Sequence, residues 1–208
     1  MKTTNSLKNK QIVFVTGTNT NVGKSYACGK FLEKYSQEGF KVGYFKPIET
    51  GVITTPEDGS LLLNLTKKLN SDFNVTLDDV VPYQFELPAS PFVAKKDTEI
   101  DIGFIKEKMN YLLQFCDVLI IEGAGGLMVP IYKDYFMIDL IKELNAKAIL
   151  IAPSHLGSIN QTLLSINALK NHDIEFDWYI NLQKEKETFK EITLPFYESY
   201  FKEIKYLF

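Results

Sequence analysis

The chain has 208 residues, 45% of them hydrophobic and 24% charged, with a formal net charge of −3. Those values suit one well-buried α/β domain and leave too little chain for two ordinary ones to be expected. The slightly acidic balance gives no overall basic footprint for nucleic acid, and no apolar run approaches the roughly 20 residues that cross a membrane. Residues 1–10 are polar, without the apolar core of a signal peptide, and are expected to be a flexible tail ahead of a single domain over 11–208. The two cysteines, Cys28 and Cys116, lack metal-ligand spacing and read as buried thiols, which fits a reducing cytoplasm.

The first apolar, β-branched run, residues 11–16, predicts a buried strand, and residues 26–38 carry Ala27, Phe31, Leu32 and Tyr35 at helical spacing. Gly39 suits the end of that helix, and residues 41–46 predict a second strand that Pro47 stops. Residues 46–51 then read as a loop, 52–60 as polar chain, and about 60–69 as a helix. The prolines at 82, 88 and 91 predict mostly irregular chain over 71–100. Asp101 is a plausible N-cap for a helix that turns Ile105, Met109, Leu112 and Leu113 to the core.

Asp117-Val-Leu-Ile-Ile-Glu122 has the continuous apolar run of a central parallel strand, followed by a glycine-rich loop at 123–126. A helix near 137–144, a strand at 147–152, a helix over about 158–171 and a strand at 177–181 continue the alternation. Residues 183–191 are highly charged and are expected to be exposed. The aromatic tail from Leu194 on is expected to pack on the body or on a second subunit rather than on a membrane. The alternation predicts an α/β fold: a doubly wound, mostly parallel sheet with helices on both faces and ligands at the strands' carboxyl ends. The loops 17–25, 46–51, 123–130 and 153–160 should therefore meet on one rim.

One of those loops has a recognisable chemistry. Gly17-Thr-Asn-Thr-Asn-Val-Gly23-Lys24-Ser25 lies between a predicted strand and a predicted helix, the setting of a phosphate-binding loop. Its glycines allow backbone N–H groups to converge on phosphate oxygens, Lys24 would reach the outer phosphates, and the Ser25 hydroxyl suits Mg²⁺. The spacing departs from the usual pattern, because five residues rather than four separate Gly17 from Gly23. Glu122 stands where an acid completes the metal site of such proteins, and Asp58 is a third candidate ligand. Lys46 could stabilise charge on a transferred phosphoryl group. His172 falls at a helix end, where a cation is favourable for structural reasons alone.

With these residues in place the chain resembles the dethiobiotin synthetase family. The matching segments are Val15 to Ser25, Lys46-Pro-Ile-Glu-Thr-Gly51, Pro82-Tyr83 with Pro88-Ala-Ser-Pro91, Ile121-Glu-Gly-Ala-Gly-Gly126 with Val129-Pro130, and Leu156-Gly-Ser-Ile-Asn160. They keep the family's order, and the long-spaced phosphate loop is the family's own form. The resemblance implies a homodimeric, cytoplasmic, ATP-dependent cyclo-ligase of biotin biosynthesis that joins CO₂ to 7,8-diaminopelargonic acid, without nucleic-acid or membrane partners.

Carried over by position, it implies catalytic roles for Lys46, Lys24 and Thr20, and a Mg²⁺ site at Ser25, Asp58 and Glu122. It implies nucleotide contacts from Asn21, Val22, Gly23, Lys24, Ser25, Tyr26, Asp58, Glu122, Gly123, Ala124 and Gly125, and from Asn181, Pro195, Phe196 and Tyr197 around the base. Substrate contacts would come from Thr50 and Gly126, and from Leu156, Gly157, Ser158 and Asn160 of the second subunit. Two departures stand out: Asn21 replaces a common acid of the loop, and the base region is short. A switch ATPase of the partition or septum-site type would carry an early loop lysine where Thr18 stands, and a cobalamin-type amidotransferase would need a longer chain and a cysteine nucleophile.

Overall fold

Five strands, each parallel to its neighbours, form the centre of the computed structural model, which describes residues 10–182 and 186–207. Strand β1 (Gln11–Gly17) leads through the glycine-bracketed loop into α1 (Lys24–Gln37), followed by β2 (Val42–Phe45). The strand β3 (Ile48–Thr50) then precedes α2 (Glu57–Leu69), α3 (Leu77–Val80), β4 (Tyr83–Phe85) and α4 (Pro91–Ala94). After α5 (Ile102–Leu112) come β5 (Val118–Gly126), the antiparallel pair β6 (Pro130–Tyr132) and β7 (Tyr135–Phe136), and α6 (Met137–Glu143). The chain continues through β8 (Lys147–Pro153), α7 (Ser158–Asn171) and β9 (Phe176–Asn181). It ends in α8 (Lys186–Thr188), a π-helical turn over Phe189–Thr193 and α9 (Leu194–Tyr200).

The sheet order is β2-β5-β1-β8-β9, so β1 is covered on both edges and the run Val118 to Ile121 of β5 is fully buried. That is why these strands read as unbroken apolar stretches. The β2, β5, β1 and β8 carboxyl ends all open onto the same rim, the place where doubly wound sheets hold ligands.

Several boundaries differ from the sequence expectation. Lys10 is docked, its ammonium donating to Cys116 O at 2.6 Å and Asp117 Oδ1 at 3.1 Å, while the rest of the expected tail, residues 1–9, lies outside the described residues. The loop 46–51 contains β3, which pairs in parallel with β4 from the stretch expected to be irregular. That stretch also holds α3, set by a capping box in which Thr76 and Asp79 satisfy each other's backbone N–H groups. Helix α2 begins at Glu57, so Asp58 belongs to its first turn and not to a loop. Strand β5 runs on through Gly126, so the glycines at 123–126 are strand and not loop. The N-cap at Asp101 is formed, with Oδ1 accepting from Gly103 N at 2.7 Å and Phe104 N at 3.3 Å.

The aromatic tail packs on the body. The Tyr197 ring lies 5.5 Å from that of Trp178, and its hydroxyl donates to Thr162 Oγ1 at 3.0 Å. Leu207 N donates to Ile180 O, which covers the exposed edge of β9. Within the charged stretch, residues 183–185 lie outside the described residues, whereas Phe189 is buried. No helix among the described residues is long and apolar enough to cross a membrane.

Candidate active site

The loop between β1 and α1 is a cradle of backbone. Gly23 stands at the head of α1 with φ of 92°, a left-handed conformation, and a Cβ there would meet Asn181 Nδ2 at 2.2 Å. That amide donates to Val22 O at 3.0 Å and ties the loop to the end of β9. Thr18 N donates to Ile151 O at the end of β8, and Thr20 N to Asn19 Oδ1. With its loop fixed at both flanks, the start of α1 points its free N–H groups and its positive end into the cleft.

Four charged side chains converge there. Lys24, the first residue of α1, reaches back to Asn19 O at 3.3 Å. Lys46, just beyond β2, is only 5% exposed and donates to Asp58 Oδ2 at 2.6 Å and Glu122 Oε1 at 2.9 Å. Glu122, 1% exposed in the middle of β5, also accepts from Ser25 Oγ at 2.8 Å through Oε1 and from Tyr44 Oη at 2.8 Å through Oε2.

Burial and the opposing charges compete at each group. Burial lowers the Lys24 pKa and, with the Lys46 charge, outweighs the help from Glu122 and Asp58. Burial acts the same way on Lys46, but Glu122, Asp58 and Glu49 more than reverse it, and its pKa is raised. Burial would raise Asp58, yet the charge and hydrogen bond of Lys46, the Ser25 hydroxyl and the Lys24 charge hold it below the usual carboxylate value. A buried ion pair of this kind contributes little to folding, because desolvation offsets its attraction. Perturbed groups of this kind cluster at functional sites, and this one lies on the rim where doubly wound sheets hold ligands.

Glu49 of β3 belongs to the site, although the sequence does not single it out. Its carboxylate accepts from Asp58 N at 3.2 Å and Gly59 N at 3.0 Å, so it caps α2 from across the cleft where Pro56 offers no side-chain cap. This tertiary cap starts the helix early and fixes the backbone that carries Asp58. Burial raises the Glu49 pKa despite Lys46 and the two backbone N–H groups. Only the acid's place in the Lys46–Gly51 segment could draw attention to it. Tyr44 gives no signal at all beyond that of a core aromatic.

The cleft holds about 660 Å³ and is lined by the phosphate loop, the 46–50 segment, Asp58, residues 88–91 and Glu122 to Gly125. Thr20, Asn21, Gly23, Lys24, Ser25, Tyr26, Lys46, Thr50, Asp58, Glu122, Gly123, Ala124 and Gly125 all face it. Val22 is buried behind the loop, and Gly126 closes against the Gly17 and Thr18 carbonyls. Leu156, Gly157, Ser158 and Asn160 do not line it in the single chain: Leu156 is 74% exposed, and Ser158, at the head of α7, is buried, its backbone N donating to His155 O while its hydroxyl has no hydrogen-bond partner among the described residues. Asn181 touches the loop rather than the cleft. Pro195 is exposed, and Phe196 stacks on Tyr200. Tyr197 departs from the expectation: it is fully buried and its hydroxyl is taken by Thr162, so its side chain is core and does not face a base.

A parallel sheet, a phosphate loop at its central strand and a buried acid, Glu122, on the neighbouring strand define a phosphate-loop nucleotide-binding protein of the α/β class. A family model described as "AAA domain" matches residues 11–192. The ATP-dependent dethiobiotin synthetase of Sulfurovum sp. (strain NBC37-1) is 49% identical over 190 residues, covering 91% of this chain and 90% of the relative. That of Wolinella succinogenes is 41% identical over 189 residues, covering 89% and 88%. Among solved structures, a plasmid partition protein from Borrelia burgdorferi has a TM-score of 0.59 at 16% identity, covering 96% of this chain and 89% of that one. The MinC:MinD cell division complex of Aquifex aeolicus gives 0.56 at 16%, covering 94% and 79%, and both likenesses speak for the fold alone. The chain belongs to the dethiobiotin synthetase family.

Proposed function

We propose that this chain is an ATP-dependent dethiobiotin synthetase, which closes 7,8-diaminopelargonic acid and CO₂ into the cyclic urea of dethiobiotin and releases ADP and phosphate. The observation that carries the reading is the bridge from Lys46 to Asp58 and Glu122 beside Ser25 and the phosphate loop, in a chain up to 49% identical to proteins of that name.

The chemistry suits this machinery. One amine attacks the carbon of CO₂, losing a proton to give a carbamate. A carbamate oxygen attacks the γ-phosphorus and ADP departs, leaving a mixed anhydride. The second amine attacks the anhydride carbonyl carbon and expels phosphate, which closes the ring. The substrate supplies every nucleophile, so the protein needs no covalent group of its own. Its work is alignment and neutralisation of charge. Lys24 and Lys46 hold the γ-phosphate and the carbamate between them, Thr20 orients the loop beside them, and Thr50 hydrogen-bonds the diamine. The loop N–H groups and Glu122 to Gly125 bind the nucleotide.

Magnesium fits the donors present. No cluster of three or more His, Cys, Asp or Glu suited to a metal occurs among the described residues, but Mg²⁺ normally takes one or two carboxylates and completes its shell with water and phosphate. Ser25, Asp58 and Glu122 would hold it, and when bound it neutralises developing charge on the phosphate oxygens. The cytoplasm, where ATP is abundant and the two buried thiols stay reduced, is the proposed location.

The substrate's carboxylate is assigned to the start of α7 in a second subunit, with Ser158 and Asn160, because a helix N-terminus favours an anion. The test is direct: purified protein with ATP, Mg²⁺, bicarbonate and diaminopelargonic acid yields a product of dethiobiotin mass, and Lys24→Ala yields none. A wild-type protein that hydrolyses ATP without forming that product contradicts the reading.

A further inference from the structure

Tyr44 sits in β2 two residues before Lys46 and is fully buried. A phenylalanine would fill the same space, and a hydroxyl in such a core is costly unless it is bonded. Here it donates to Glu122 Oε2 at 2.8 Å. The other carboxylate oxygen, Oε1, takes Ser25 Oγ at 2.8 Å and Lys46 Nζ at 2.9 Å. Glu122 is thus divided between two layers, one oxygen facing the cleft groups and the other held from the core.

We infer that Tyr44 is a positioning residue, whose hydroxyl fixes the plane of Glu122 and keeps Oε1 turned toward Ser25 and the metal-bound nucleotide. The inference rests on the proposed binding of Mg²⁺ and ATP at this rim. Partners that hold a ligating carboxylate from behind are worth roughly 10–100-fold in metal affinity, and a single hydroxyl placed this way should act at the lower end.

Mn²⁺ serves as the probe. Its binding to the protein with a non-hydrolysable ATP analogue is followed by electron paramagnetic resonance in wild type, Tyr44→Phe, Glu122→Gln and the double variant. The expected result is a loss of affinity of about tenfold in Tyr44→Phe and a larger one in Glu122→Gln. In the Glu122→Gln background Tyr44→Phe should then add less than about twofold, because the two act as one unit. Equal losses in both backgrounds, or no loss from Tyr44→Phe, overturn the inference and leave Tyr44 as core packing. If Glu122→Gln itself leaves Mn²⁺ affinity unchanged, the metal reading fails and the role of Tyr44 falls with it. Should Tyr44→Phe not fold, 3-fluorotyrosine at position 44 retains both shape and hydroxyl. Its fluorine resonance should then shift on adding Mg²⁺ and nucleotide to wild type but not to Glu122→Gln; an unmoved line in wild type overturns the inference.

Discussion

Lys46 Nζ and Glu122 Oε1 lie 2.9 Å apart, both buried, although 76 residues separate them in the chain. The sheet order brings them together: β2 and β5 are adjacent and parallel, so the residue just past the end of β2 comes level with the middle of the longer β5. The same bridge continues to Asp58 at 2.6 Å, which joins three separate segments through one ammonium group.

Removing that ammonium should be costly twice over. Lys46→Met keeps the stem but leaves Glu122 as an uncompensated buried charge, for which a loss of about 3–5 kcal/mol is typical. Turnover should fall by about 10²–10³-fold, as when one charge-stabilising donor is lost. Urea unfolding and steady-state kinetics on the purified variant check both; near-normal turnover would remove Lys46 from the mechanism.

Gly23→Ala should weaken nucleotide binding without disturbing the sheet. At φ of 92° an alanine is strained, and its Cβ would displace the Asn181 amide from Val22 O. A strain of about 1–3 kcal/mol corresponds to roughly 5- to 150-fold in affinity if it falls on the bound loop. Isothermal titration with an ATP analogue reads it.

Much of this is legible from the residues, and the reasons are physical. The strand–loop–helix around Gly17 to Ser25 and the buried run Val118 to Ile121 announce themselves, because a central parallel strand needs unbroken apolar sequence and a phosphate loop needs glycines at fixed places. The true start of α2 is not legible, since its cap is Glu49, which reaches it across space from β3. Glycine composition conceals the continuation of β5 through Gly126. The buried place of Tyr197 is hidden too: its partners Trp178 and Thr162 come from β9 and α7, which tail composition alone does not locate.

The capping box at α3 gives a pH-dependent prediction. Asp79 accepts from Thr76 N and Oγ1 and from Lys108 Nζ at 2.7 Å. Burial would raise its pKa, but the hydrogen bonds from Lys108 and Thr76 together hold it below the ordinary 3.8. A carboxylate depressed in the folded state stabilises the protein above its unfolded pKa, and that contribution fades as the pH falls through the folded value. Asp79→Asn should therefore cost about 1 kcal/mol at neutral pH, as the loss of a cap does. The difference from wild type should shrink below pH 3.8, as thermal unfolding across that range would show.

Both thiols should be inert in the folded protein. Burial pushes Cys116 up to about 12 and raises Cys28 well above its ordinary value, the Glu122 charge adding to the second. At pH 8 the Cys116 thiolate is then roughly one part in ten thousand. A chromogenic disulfide reagent should count no reactive thiol in native protein and two in denaturant.

The most direct measurement is phosphate release from ATP at varied bicarbonate, with and without diaminopelargonic acid. Release that needs both, and that matches dethiobiotin formed one for one, is what a site built from Lys24, Lys46 and Glu122 around a carbamate and a triphosphate predicts. Steady hydrolysis indifferent to diamine and bicarbonate would contradict it.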